Sequence, residues 1–304
     1  PTLSDRSIIR INQNTHKKTP FMIVLDNLTY SYRHSRRNAI TGVTAEIGPG
    51  IHLLLGENGA GKTTLLHIIA GLRTPQKPDE CTIDGVETAL RLPQTMRRVF
   101  LVSDEMQFPF KTIDEMVRYH SVFYPSFDPE MLHRNLETFG MTGREPIDSF
   151  SLGNRKKAFL AYAFALKTEI LLLDEPANGL DISSKQQTLN MMAECVDESQ
   201  TVILSTHTVA DFQQLFESVI VLSAGNLVLN SPIYSVTEKI DFINADVPPT
   251  GAIYIEQSLG RFRAIVPHRP DFVSSDIDYT LLFNALQSPS SRHALLTILN
   301  SSES

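Results

Sequence analysis

The stretch that most limits what this chain can become is GENGAGKTT, residues 56–64. It fits the spacing G-x-x-x-x-G-K-[ST] at Gly56, Gly61, Lys62 and Thr63. Glycines let successive backbone N–H groups turn inward around a phosphate, and the helix that follows aims its positive N-terminus at the same charge. Lys62 is then expected to reach the β- and γ-phosphates, and the Thr63 hydroxyl to ligate Mg2+. The motif lies between an apolar strand-like run at 52–55 and the apolar LLHIIA at 65–70. That strand–loop–helix context separates it from a chance glycine-rich turn.

A second acidic element answers the first. In ILLLDEP, 170–176, four apolar residues run into Asp174 and Glu175. A continuous apolar run of this length reads as a buried parallel strand. It delivers two adjacent carboxylates to a strand end. Asp174 is expected to hold Mg2+ through water, and Glu175 to polarise an attacking water as general base.

The rest of the chain alternates buried-strand and helix patterns: RRVFLV at 97–102, the apolar helix RKKAFLAYAFALK at 155–167, a helix about 184–196, and TVILSTH at 201–207. SVIVLSAGNLVLN reads as a hairpin turning at AGN. Alternation of this kind indicates an α/β fold around a parallel sheet. From 112 to 140 the pattern is helical, broken at YPSFDP. After about 232 it changes to a second hairpin, GAIYIEQSLGRFRAIVP, and two short terminal helices, YTLLFNAL and SSRHALLTIL. The expected division is a poorly ordered extension over 1–21, a main domain over 22–232 with a helical part about 105–158, and a small accessory domain over 233–304.

Composition removes several classes. A net charge of −7 disfavours nucleic acid as a partner. Two distant cysteines and no CxxC spacing fit a reduced, cytoplasmic setting. Residues 1–20 lack the apolar core of a signal peptide. AFLAYAFAL, 158–166, is far short of the ~20 residues that span a bilayer. If the protein works at a membrane, something else holds it there.

FSLGNRKK, 150–157, opens the long apolar helix with a serine and a glycine. Taken alone it is an N-capped helix that could also face a phosphate. Together with the two phosphate-site motifs, it makes residues 23–230 resemble the ATP-binding subunits of ABC transporters. FSLGN stands where that family's signature LSGGQ stands. ANGLD at 177–181 looks like its D-loop, STHT at 205–208 like its switch histidine, and LTYSYR like its adenine-stacking segment. The resemblance implies a P-loop NTPase fold: a RecA-like core, a helical subdomain, an antiparallel β-subdomain and a small α+β C-terminal extension. It implies ATP and Mg2+ as ligands, and nucleotide contacts from Glu57, Asn58, Gly59, Ala60, Gly61, Lys62, Thr63 and Thr64. Lys62, Glu175 and His207 would be catalytic, and Thr63, Asp174 and Asp104 would lie at the metal. Tyr32 would stack on adenine, although Tyr30 alternates with it. Two copies would pair head to tail, so that Ser151, Gly153, Asn154 and Asp181 of one chain complete the site of the other.

Three positions depart from the family pattern. Leu152 replaces a signature glycine, Asn154 replaces glutamine, and Asp104 (or Ser103, one residue earlier) stands where a metal-contacting glutamine is usual. The family places its membrane-partner docking surface in the segment between 105 and 150, here rich in aromatics. The run FYPSFDPEMLHRNLETFGM and the terminal DIDYTLLFNAL look like stretches of bacterial exporter-type ATPases. The resemblance therefore implies a permease subunit as partner and a peripheral position on the cytoplasmic face of the inner membrane. A soluble ATPase of the cluster-assembly type is the alternative.

Overall fold

A computed structural model describes residues 22–103, 109–207, 209, 212–258, 260–269 and 276–301; the expected extension over 1–21 and the position of Asp104 lie outside them. In chain order the elements begin with β1 (Ile23–Tyr30), β2 (Ile40–Ile47), β3 (Gly50–Leu55) and α1 (Lys62–Ile69). Next come β4 (Cys81–Ile83), β5 (Val86–Glu87), the short α2 (Pro93–Met96) and β6 (Val99–Val102). The middle of the chain is helical: α3 (Ile113–His120), α4 (Pro129–Thr138) and α5 (Leu152–Ala165). It returns to the sheet with β7 (Ile170–Asp174), α6 (Ile182–Cys195), β8 (Thr201–Ser205), β9 (Ser218–Ser223) and β10 (Asn226–Pro232). The last part holds α7 (Ile233–Thr237), β11 (Ile240–Ala245), β12 (Tyr254–Ser258), β13 (Arg261–Pro267), α8 (Tyr279–Gln287) and α9 (Pro289–Asn300).

The central sheet has the order β10-β9-β3-β8-β7-β6, parallel from β9 to β6, with β10 antiparallel at the edge. Every residue of β3, β7 and β8 is buried, as a strand covered on both faces requires. Their parallel register sets Asp174 beside Ser205 at the carboxyl ends. In open α/β sheets ligands bind beyond those ends.

One face of this sheet is covered by α1 and by a second, antiparallel sheet of order β2-β1-β4-β5. Leu65, Leu66, Ile68 and Ile69 of α1 pack there against Ile23, Leu25, Leu54 and Ile203. That face fixes α1, and so the loop before it, against rigid strands.

The other face carries the helical part. Thr112 caps α3 by accepting from Glu115 N, while the Glu115 carboxylate accepts from Lys111 N, a near-reciprocal cap. Asp128 caps α4, with Pro129 in its first turn. The central helix α5 is buried at every position from Ala158 to Ala165 and runs unbroken through residue 158.

The C-terminal hairpin and both terminal helices stand where the sequence pattern predicts them, and β11 joins the hairpin to make a sheet of order β11-β13-β12. Phe242, Ile265, Tyr279, Leu282, Leu286, Leu295 and Leu299 belong to the same hydrophobic cluster as Leu173, Leu204, Phe212 and Phe216 of the main sheet region. An ion pair from Arg263 to Asp278, the cap of α8, ties this small sheet to the helix.

Candidate nucleotide site

The loop 56–61 leaves β3 and turns back into α1 under steric control. A side chain at Gly61 (φ +105°) would put its Cβ 2.5 Å from the Ala39 carbonyl oxygen. One at Gly56 would come within 2.8 Å of the Leu222 carbonyl oxygen. The Lys62 ammonium is held inside the loop, donating to the carbonyls of Gly56 (2.7 Å) and Glu57 (3.3 Å). Around it opens a cleft of about 350 Å³, lined by Tyr32, Glu57, Asn58, Gly59, Gly61, Lys62, Thr63, Thr64, Asp174 and Glu175. Ala60 turns the other way: its methyl is in the core beside α1, and its N–H donates to the Glu57 carbonyl.

At the floor of the cleft the Asp174 carboxylate, almost wholly buried, accepts from Thr63 Oγ1 (2.6 Å) and from Ser205 Oγ (2.5 Å). A hydroxyl and a carboxylate beside a phosphate cradle form an all-oxygen donor set. It suits Mg2+, which takes one or two carboxylates and fills its other positions with water and phosphate oxygens. The residues present therefore fit the ion the family implies.

Glu175 follows with φ +49°, in the left-handed region that a non-glycine residue enters at a cost of about 1–3 kcal/mol. Its N–H donates to the Ser205 carbonyl at 3.0 Å, and its Oε2 lies 2.9 Å from His207 Nδ1. Adjacent strands β7 and β8 thus bring an acid and an imidazole together at the cleft mouth. The Glu175 side chain is 18% exposed and that of His207 57%. The carboxylate is sheltered, while the imidazole stays accessible.

The two tyrosines of LTYSYR separate cleanly. Tyr30 packs against the core beside α1, whereas Tyr32 lines the cleft and bonds through its hydroxyl to Thr64 Oγ1 (2.8 Å). The rings meet edge to face at 5.2 Å. Arg73, a residue without a motif, lies 4.7 Å above the Tyr32 ring and donates to the Tyr30 hydroxyl. It braces both rings.

Ser151, Gly153, Asn154 and Asp181 lie outside this cleft. Ser151 caps α5 by accepting from Asn154 N (3.2 Å). Gly153 lies against the following loop, where an added Cβ would be 3.4 Å from the Gly179 carbonyl oxygen. Asp181 caps α6, and the Ser184 N–H and hydroxyl hold its carboxyl below the usual carboxylate range. Leu152 at the start of α5 and Ile182 at the start of α6 are 64% and 88% exposed. Within the basic run 155–157, Lys156 is only 7% exposed.

A second cavity, of about 310 Å³, shares Glu57 and Asn58 with the first and is closed by Thr206, His207, Tyr279, Thr280 and Phe283. The last three come from α8. They fall within DIDYTLLFNAL, the terminal stretch that resembles exporter-type ATPases, but nothing in that stretch places them beside His207.

The family model described as ABC transporter matches residues 40–178. The energy-coupling factor transporter ATP-binding protein EcfA of Methanothermobacter thermautotrophicus is 32% identical over 219 residues, 68% of this chain and 70% of that one. This chain belongs to the ABC transporter ATP-binding proteins. A further relative of this family, the manganese transport system ATP-binding protein MntA of Synechocystis sp., is 30% identical over 212 residues, covering 66% of this chain and 81% of MntA. The ABC fold is shared with the ATP-binding cassette MJ0796, solved as a dimer bound to ADP and Pi. That match has a TM-score of 0.60 at 22% identity over 69% of this chain and 98% of the other. The protein is thus an ABC ATPase, an ATP-binding subunit with the P-loop NTPase fold expected from its sequence.

Proposed function

We propose that this ABC ATPase powers a separate transmembrane permease, as an exporter, through ATP-driven closure of a head-to-tail homodimer. The observation that carries the chemistry is the pairing of Glu175 with His207 at 2.9 Å, one residue beyond the Asp174 that Thr63 contacts at 2.6 Å. ATP would lie with adenine on Tyr32 and its phosphates in the loop 56–61, its β- and γ-charges met by Lys62. Mg2+, held by Thr63 and by Asp174 through water, would neutralise charge on the phosphates. Glu175 accepts a proton from water as the water oxygen bonds to the γ-phosphorus and the bond to the bridging oxygen breaks. His207 holds the carboxylate in place and faces the departing phosphate. Ser151, Gly153 and Asn154 of the partner copy would close the site from the other side, with Asp181 of its D-loop beside them.

Where the ATPase would meet its permease is suggested by an apolar patch. Of the helical-part aromatics, Phe110, Tyr124 and Phe127 pack against the core, while Tyr119 and Phe123 are 53% and 65% exposed beside the 70% exposed Val122. Exposed apolar groups clustered on one turn mark a docking surface. Among the described residues no helix is long and apolar enough to cross a membrane, which assigns the crossing to a partner on this reading. We favour export on the two segments around α4 and α8 that resemble exporter-type ATPases. We also read 22–232 as the ATPase proper and 233–304 as its accessory part, with the whole placed on the cytoplasmic membrane face.

Affinity purification of the tagged chain from native membranes in mild detergent tests the partner. A stoichiometric multi-span protein is the expected companion. Recovery with soluble proteins alone would replace the transporter reading with the cluster-assembly class. The stacking role has its own measure: Tyr32→Ala should raise the ATP dissociation constant about fivefold, since base stacking is worth about 1 kcal/mol or more. An unchanged constant in a binding titration would remove Tyr32 from the site.

A further inference from the structure

We infer that Lys156 is a positioning residue for ATP hydrolysis, its buried ammonium holding the turn that carries Glu175. The inference rests on the reading of Glu175 as general base. Three basic residues follow the signature, and Lys156 alone of them is buried. Lys157, by contrast, lies over the Phe139 ring at 5.8 Å. Lysine is almost never buried without partners. Its partners include two main-chain oxygens, those of Asn178 (2.7 Å) and Glu175 (3.3 Å).

Those oxygens belong to the loop between β7 and α6, which begins with the left-handed Glu175. The Glu175 carbonyl also accepts from Asn178 N at 3.2 Å, so one oxygen serves both the turn and the lysine. An ammonium bonded to two carbonyls of one turn resists its opening, because both acceptors would lose a charge-assisted bond. The restraint matters for the side chain beyond. Relaxing Glu175 from φ +49° toward the commoner right-handed region would swing its carboxylate away from His207 Nδ1. From the same helix turn Gly153 packs against the Gly179 carbonyl, so the first turn of α5 and the Glu175 turn form one contact. The helix start whose Ser151 faces outward is therefore tied to the carboxylate of its own chain.

Three variants of the full chain test this, by steady-state ATP turnover and by binding of trinitrophenyl-ATP. Lys156→Met keeps the length of the side chain and removes its donors. It should lower kcat at least fivefold while the dissociation constant stays within twofold. Lys156→Arg, which keeps donors and charge, should turn over at least threefold faster than Lys156→Met. A smaller loss in Lys156→Met, a matching loss of nucleotide affinity, or an arginine variant no better than the methionine would overturn the inference. Should Lys156→Met fail to fold, as judged by circular dichroism, Lys156→Gln is measured against the same thresholds. Glu175→Gln, run alongside, separates the two claims. If it turns over normally, the general-base reading fails; if it is inactive beside a fully active Lys156→Met, only the role of Lys156 fails.

Discussion

Glu175→Gln should cut ATP turnover by about 10²–10⁴-fold, the range a positioned general base contributes, and leave ATP binding intact. The amide has the same shape and can still meet His207 Nδ1, now 2.9 Å from Glu175 Oε2, but it cannot take a proton from water. The cleft lining is otherwise unchanged, so nucleotide should enter as before and stay. Retained ATP should hold two copies together, and light scattering at saturating ATP should report a dimer. A variant that turns over at wild-type rate would require another base. A variant that stays monomeric with ATP bound would count against head-to-tail closure.

Lys62→Ala should abolish measurable ATP binding, raising the dissociation constant about a hundredfold or more. Removing a charged donor from a phosphate costs about 1.5–3 kcal/mol per bond, and this ammonium is the cation at the centre of the loop. The methyl also leaves the Gly56 and Glu57 carbonyls without the bonds that now shape the loop. Titration with a fluorescent ATP analogue checks the effect, and circular dichroism checks that the fold survives. Unchanged affinity would sink the phosphate-loop assignment. Between them the two substitutions divide the site: one removes binding, the other removes chemistry after binding.

Much of this site could be read from the sequence because its parts are local. The loop 56–64 carries its glycines, cation and hydroxyl within one turn of chain, and ILLLDEP joins its carboxylates to the strand that delivers them. Burial and parallel register then follow from the apolar runs. Tyr32 was harder because strand parity fails near it: β1 shifts register between Leu25 and Leu28 and again between Leu28 and Tyr30. Alternation could not say which ring faced the cleft. Lys156 was hidden for the opposite reason. A run of Arg155, Lys156 and Lys157 reads as a solvated face, and only the loop 175–181, far along the chain, folds over one of the three. β11 and the cavity shared by His207 and Phe283 are long-range products too. IDFINA is short and pairs with a strand beyond two turns, while Phe283 comes to line a cavity with His207 only once α8 docks. Asp104, the least usual of the expected metal residues, lies outside the described structure.

The change of sheet near residue 232 is not a change of interior. Phe242, Ile265 and the buried sides of α8 and α9 share one hydrophobic cluster with Val209, Phe212 and Phe216, which follow His207. A tail transplanted from a relative would have to present matching knobs to those sockets, or the graft would unseat the segment behind His207. Shape in this way ties the C-terminal part to the segment behind His207.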